Sequence, residues 1–87
     1  MKTAEIFQQE IEKIPIELKL ELDLSFAISD KIDVILKKKG MTQKEFAKKM
    51  GKTEAEVSRW LSGTHNFTIR TIAKICAVLG ENILVRA

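Results

Sequence analysis

Hydrophobic residues recur along this chain with more than one period. Near the N-terminus Phe7, Ile11 and Ile14 stand at i, i+4 and i+7, which predicts a short amphipathic helix over residues 4–14. Pro15 must interrupt it, because proline has no N–H and disfavours helix in the residue before it. From Ile16 to Leu24 the pattern changes: Ile16, Leu18, Leu20, Leu22 and Leu24 alternate with Glu17, Lys19, Glu21 and Asp23. That alternation is strand periodicity, yet the residue types are mostly strong helix formers and proline suits the first position of a helix. Helix is favoured slightly here, and a strand stays open.

From Ser25 to Lys39 the period is helical, with Ile28, Ile32, Ile35 and Leu36 on one face and Gly40 as the stop. Lys37, Lys38 and Lys39 fall in the last turn, where the negative end of the helix dipole favours them. Two short helices follow. Thr42 with Glu45 forms a capping box ahead of Gln43–Met50, and Thr53 with Glu56 forms another ahead of Glu54–Ser62. A helix of two turns is unstable alone in water, so the pair must pack tightly to exist. After Gly63 and a polar turn through Asn66, Thr68 can cap a last helix, with Ile69, Ile72, Ala73, Cys76 and Leu79 expected inward and Gly80 at its end. Ile83, Leu84 and Val85 form a short apolar tail, a candidate strand.

The chain has 87 residues, 45% of them apolar and 31% charged, which is room for one small globular domain. Four glycines and one proline leave little chain for the turns of a many-stranded fold, so the fold class is all-α: a small helical bundle with an N-terminal extension and a C-terminal apolar tail. The divisions expected are residues 1–23, 24–80 and 81–87. The longest uncharged stretch, Trp60 to Ile69, is ten residues, against the roughly 20 that span a bilayer. Glu5, Glu10 and Glu12 interrupt the N-terminus as a signal peptide. A cytoplasmic protein with no membrane partner is expected.

Charge is unevenly placed. Residues 1–24 hold three basic and six acidic side chains, and residues 25–87 hold twelve basic and six acidic ones. A basic body with an acidic extension is an electrostatic footprint compatible with nucleic acid, though many small proteins are basic. Cys76 is the only cysteine and reads as a small hydrophobe. His65 is the only histidine, and a structural zinc site usually takes about four nitrogen or sulfur ligands. Asp30 and Asp33 suit a helix start better than paired acid–base catalysis. No metal, cofactor, small-molecule effector or catalytic set is expected, and the chain does not read as an enzyme.

The two short helices carry the specific signal. Counting from Gln43, Ala47 is fifth, Gly51 ninth, Val57 fifteenth and Trp60 eighteenth. Helices that cross steeply after a tight turn approach most closely near the fifth position, where only a small side chain fits. The turn needs a residue that tolerates positive φ. Val57 and Trp60, at i and i+3, face back into the core. This is the pattern of a helix-turn-helix. The stretch from Met41 to Gly80 resembles the helix-turn-helix family of phage Cro and repressor proteins, often called the XRE family, and its size resembles that family's small antitoxin-like members.

That resemblance implies a five-helix domain whose second motif helix enters the major groove of double-stranded DNA. Carried over by position, Thr53, Glu54, Ala55, Ser58 and Arg59 would face base edges or the adjacent backbone. Gln43, with Lys44 beside it, would anchor the first motif helix to a phosphate, assisted by the free N–H groups of Thr42 to Glu45. His65 and Asn66 would touch neighbouring phosphates, and Thr64 and Lys52 would add contacts. Arg59 is the leading candidate, since arginine on guanine O6 and N7 is the commonest specific contact. Glu54 either accepts from a cytosine amine or only complements the helix dipole.

Two functions follow from the resemblance, and the acidic Glu54 and Glu56 on the second motif helix, which phosphates repel, keep a third open. The first is a repressor that binds a palindromic operator as a homodimer, joined through the Ile83–Val85 tail, the last helix or the Ile16–Leu24 segment. The second is an antitoxin that represses its own operon and binds a toxin protein. The third is a protein-interaction module that keeps the fold without reading DNA.

Overall fold

A computed structural model of the chain describes residues 15–83. The helix expected over residues 4–14 and the tail residues Leu84 and Val85 lie outside the described residues. Four helices and no strand are present among those described: α1 Ile16–Lys39, α2 Gln43–Met50, α3 Glu54–Leu61 and α4 Ile69–Leu79.

The alternating segment is helical. Pro15 precedes it at φ −58° and ψ 137°, and its carbonyl accepts from the N–H groups of Leu18 and Lys19 at 3.0 and 3.2 Å. Leu, Glu and Lys favour helix by propensity, and among the described residues no strand offers an edge to pair with. α1 therefore runs unbroken through residues 23 and 24, where extension and domain were expected to meet, and ends at Gly40 in the left-handed region (φ 64°). Alternate residues lie about 200° apart around a helix, so they cannot share a face. Every residue from Pro15 to Leu24 is exposed, and burial along α1 begins at Ser25.

The core is built where the period is helical. Ile28, Ile32, Ile35 and Leu36 of α1 meet Phe46, Ala47 and Met50 of α2, Val57 and Trp60 of α3, and Ile72, Ile75 and Leu79 of α4, with Ile83 of the tail closing one side. Phe46 is fully buried and meets the Trp60 ring edge-on, with centroids 6.3 Å apart.

The inward face of α4 differs from the one expected. Ile72 and Leu79 are buried and Cys76 is half-buried, but Ile69 is 83% exposed and Ala73 is exposed, while Ile75 lies wholly inside. Apolar residues surround much of this helix, so periodicity alone does not choose a face. Ile69 is its first residue, and the packed face is Ile72, Ile75 and Leu79, at i, i+3 and i+7.

Two contacts hold α1 to the far end of α3. The Ser29 hydroxyl, buried, donates to the Trp60 carbonyl at 2.6 Å, satisfying one of the orphan acceptors of the helix C-terminus. Gly63, just past α3, has φ 98°, and a Cβ there would collide with Cδ1 and Cε1 of Phe26. Ser29→Ala leaves the Trp60 carbonyl buried without that donor and is expected to cost about 1–3 kcal/mol. Urea unfolding of the variant checks this; an unchanged midpoint would mean that the bond contributes nothing.

Candidate nucleic-acid interface

The α2–α3 pair is set by local chemistry. Thr42 Oγ1 accepts from the Glu45 N–H at 3.1 Å while Glu45 Oε1 takes the Thr42 N–H at 3.2 Å and the Thr42 hydroxyl at 2.9 Å. The same box recurs at α3: Thr53 Oγ1 accepts from the Glu56 N–H at 3.1 Å, and Glu56 Oε2 accepts from the Thr53 N–H at 2.8 Å. Between the helices, Gly51 adopts φ 69° and ψ 32°, and the Lys52 N–H returns to the Ala47 carbonyl at 2.9 Å. This is the left-handed C-cap that glycine allows without strain. Ala47 is buried at the approach of the two helices.

With Val57 and Trp60 locked inward, the opposite side of α3 must face out. Glu54, Ala55, Ser58 and Arg59 are all exposed along it, and Thr53 is exposed at its N-cap. Among the described residues the Arg59 guanidinium forms no ion pair. The Arg59 carbonyl accepts from the Ser62 hydroxyl at 2.6 Å, which closes the end of α3. Gln43, Lys44 and Lys52 are exposed on α2 and the turn, and Thr64 and Asn66 are exposed beyond α3.

Two expected contributors are placed differently. Of the N–H groups from Thr42 to Glu45, those of Thr42 and Glu45 are already consumed by the capping box, leaving the N–H groups of Gln43 and Lys44 at that end. His65 is half-buried, 4.8 Å from the Phe67 ring and 6.1 Å from the Trp60 ring, so its imidazole serves first as packing. Arg70 and Lys74 are two further exposed bases that the motif spacing does not pick out. Arg70 falls in the first turn of α4, and Lys74 Nζ comes within 4.0 Å of where a Gly51 Cβ would stand. Only the packing of α4 onto α2 brings Lys74 to the turn.

The boxes also set the acid response. The Glu45 carboxyl is held below the ordinary 4.5 by the Thr42 backbone N–H and then by its hydroxyl. The Glu56 carboxyl is held below it chiefly by the Thr53 N–H. A carboxyl depressed on folding stabilises fully above its unfolded pKa and ceases to as pH falls through its folded value. Melting temperature should therefore hold near neutrality and fall as the pH drops below about 4.5. The paired variant Glu45→Gln with Glu56→Gln should flatten that fall; an equally steep fall in the variant would contradict the assignment.

Among the described residues, no group of three or more His, Cys, Asp or Glu side chains could hold a metal ion, and no helix is long and apolar enough to cross a membrane. A three-residue turn between two capped helices, a small residue at their crossing and a polar outward strip on the second define a helix-turn-helix DNA-binding module. The helix-turn-helix family model matches residues 33–85, and the chain belongs to this family, the Cro and phage-repressor or XRE type. It is a DNA-binding regulator of that type, from a family that is typically not enzymatic. Searches among curated proteins and among solved structures return no match. The matched region starts inside α1, so the exposed first half of that helix precedes it.

Proposed function

We propose that the chain is a cytoplasmic repressor that binds a palindromic operator as a homodimer, with α3 in the major groove. The observation that carries this is the outward strip Glu54, Ala55, Ser58 and Arg59 on a helix capped at both ends and fixed by Val57 and Trp60. A rigid helix with its polar face free can hold side chains in register with base edges, and Arg59 supplies the donor fork that guanine recognises. Gln43 and Lys44 at the start of α2, with Lys52, Thr64 and Asn66, flank that strip and take backbone phosphates, which position the protein without reading sequence. One such module covers few base pairs, and a two-fold pair doubles the site. Repression then follows from excluding polymerase.

The test is duplex binding by fluorescence anisotropy over a range of salt. The logarithm of affinity should fall linearly with the logarithm of salt, and Lys44→Ala and Lys52→Ala should each make the slope shallower by about one. A slope unchanged in both variants would remove those residues from the interface.

The antitoxin reading keeps this interface and adds a protein partner. The observation in its favour is the first half of α1, which is exposed and carries Glu17, Glu21 and Asp23 against Lys19.

A further inference from the structure

The first half of α1 exposes six large apolar side chains within eleven residues: Ile16, Leu18, Leu20, Leu22, Leu24 and Phe26, each between 37% and 61% accessible. Water contact over that much apolar surface is unfavourable. Elsewhere among the described residues Val34 and Ile69 are the other exposed large apolar side chains, and they stand singly, while Ile72, Ile75 and Leu79 of α4 and Ile83 are in the core.

One line of residues on α1 has a property that the rest lack. Glu17, Leu20, Leu24, Ala27 and Lys31 are spaced by 3, 4, 3 and 4 residues and are all exposed. That spacing keeps them on one stripe, the seam of a helix pair. Leu24 is its centre. Glu17 lies seven residues before it and Lys31 seven after, two helical turns or about 10.5 Å each way. When the stripe meets a second copy of itself running antiparallel about Leu24, Leu24 faces its own copy and Leu20 faces the small Ala27, where two helices can approach closely. Each Glu17 then faces Lys31 of the other copy. A parallel pair would set Glu17 on Glu17 and Lys31 on Lys31, so charge selects the antiparallel arrangement. Asp23 and Asp30 flank the stripe without lying in it.

The surroundings widen the contact. Leu20, Leu24 and Ile28 form one wall of an apolar groove whose other wall is Phe67 and Ile72, with Glu17 and Glu21 on its rim. The occupant must bring apolar side chains and positive charge to that rim. Residues 1–14 carry Glu5, Glu10 and Glu12 against Lys2 and Lys13 and offer no net complement. A second copy brings Lys31.

We propose that this stripe is the dimer seam, two α1 helices paired antiparallel about Leu24 with reciprocal Glu17–Lys31 contacts. The proposal rests on the homodimer reading above and assigns the surface that reading requires.

Sedimentation equilibrium of the full chain without DNA tests it. Wild type should be dimeric, and Leu24→Glu monomeric with an unchanged circular dichroism spectrum, because Leu24 has no place in the core. Glu17→Lys and Lys31→Glu should each weaken association roughly tenfold, since either one converts two attractive contacts per dimer into two repulsive ones. The double variant should recover most of that loss. A dimer indifferent to Leu24→Glu, or a double variant no better than the singles, would overturn the seam.

A monomeric wild-type chain would also overturn it. Shielding of a Leu24→Cys thiol in that monomer would then give the groove to residues 1–14, and a complex with a basic protein lost in Leu24→Glu would give it to a toxin. Duplex binding separates the two levels of the argument. A Leu24→Glu monomer that still binds a half-site leaves the DNA reading intact whatever becomes of the seam. A swap-rescued dimer that binds no duplex keeps the seam and ends the repressor reading.

Discussion

Phe46→Ala is expected to destabilise the chain by about 3–5 kcal/mol, out of the roughly 5–15 kcal/mol available to a domain. The Phe46 side chain is wholly buried and lies edge-on to Trp60, so its removal opens a cavity between α2 and the base of α3. Neither helix is long enough to hold its shape without the other, and loss of this contact loosens the angle at which α3 is presented. Urea unfolding reads the effect as a large fall in midpoint. Ile69→Ser is the matching control: it also removes a large apolar side chain, but one that is 83% exposed, and should change stability by no more than about 0.5 kcal/mol. Comparable losses in the two variants would mean that the core is not where the fold places it.

Arg59→Glu is expected to abolish selective DNA binding while leaving the fold untouched. Removal of an arginine bonded to guanine costs about 1–3 kcal/mol of discrimination, and a carboxylate in its place adds repulsion from the phosphates on either side. The side chain is exposed and forms no ion pair among the described residues, so melting temperature should stay within about a degree or two of wild type. Gel shift and thermal melting together check this. If Arg59→Glu binds the same duplex with wild-type affinity, α3 is not the reading helix. A wild-type chain that selects no duplex, while its binding to a protein partner survives Arg59→Glu, would instead favour the interaction-module reading.

Legibility from sequence followed the range of the interactions involved. The limits of α2 and α3 could be read because their caps are local: Thr42 with Glu45 and Thr53 with Glu56 satisfy helix N-termini within four residues. The outward strip on α3 is what the family resemblance implies by position, and its exposure agrees with Val57 and Trp60 committing the other side of a two-turn helix to the core. Ile16–Leu24 was ambiguous because its period and its residue types point to different structures, and propensity prevailed where the described residues offer no partner strand. The face of α4 was misread at Ile69 and Ala73 because a helix apolar nearly all round takes its orientation from its neighbours. The Ser29–Trp60 bond and the stacking of Phe26 over Gly63 join residues more than thirty apart, and nothing local announces them. The resemblance sets His65 in a turn against a phosphate; its half-burial beside Trp60 and Phe67 is what the sequence does not announce.

The measurement that tests the central claim most directly is selection of bound duplexes from a random DNA pool near physiological salt, followed by sequencing. The account predicts an enriched palindrome whose half-sites lie roughly 10–11 base pairs apart, centre to centre, with Arg59→Ala relaxing the preference at one guanine in each half. A pool without enrichment, from a chain whose binding vanishes on modest addition of salt, would leave only nonspecific attraction to phosphate and contradict sequence-specific repression.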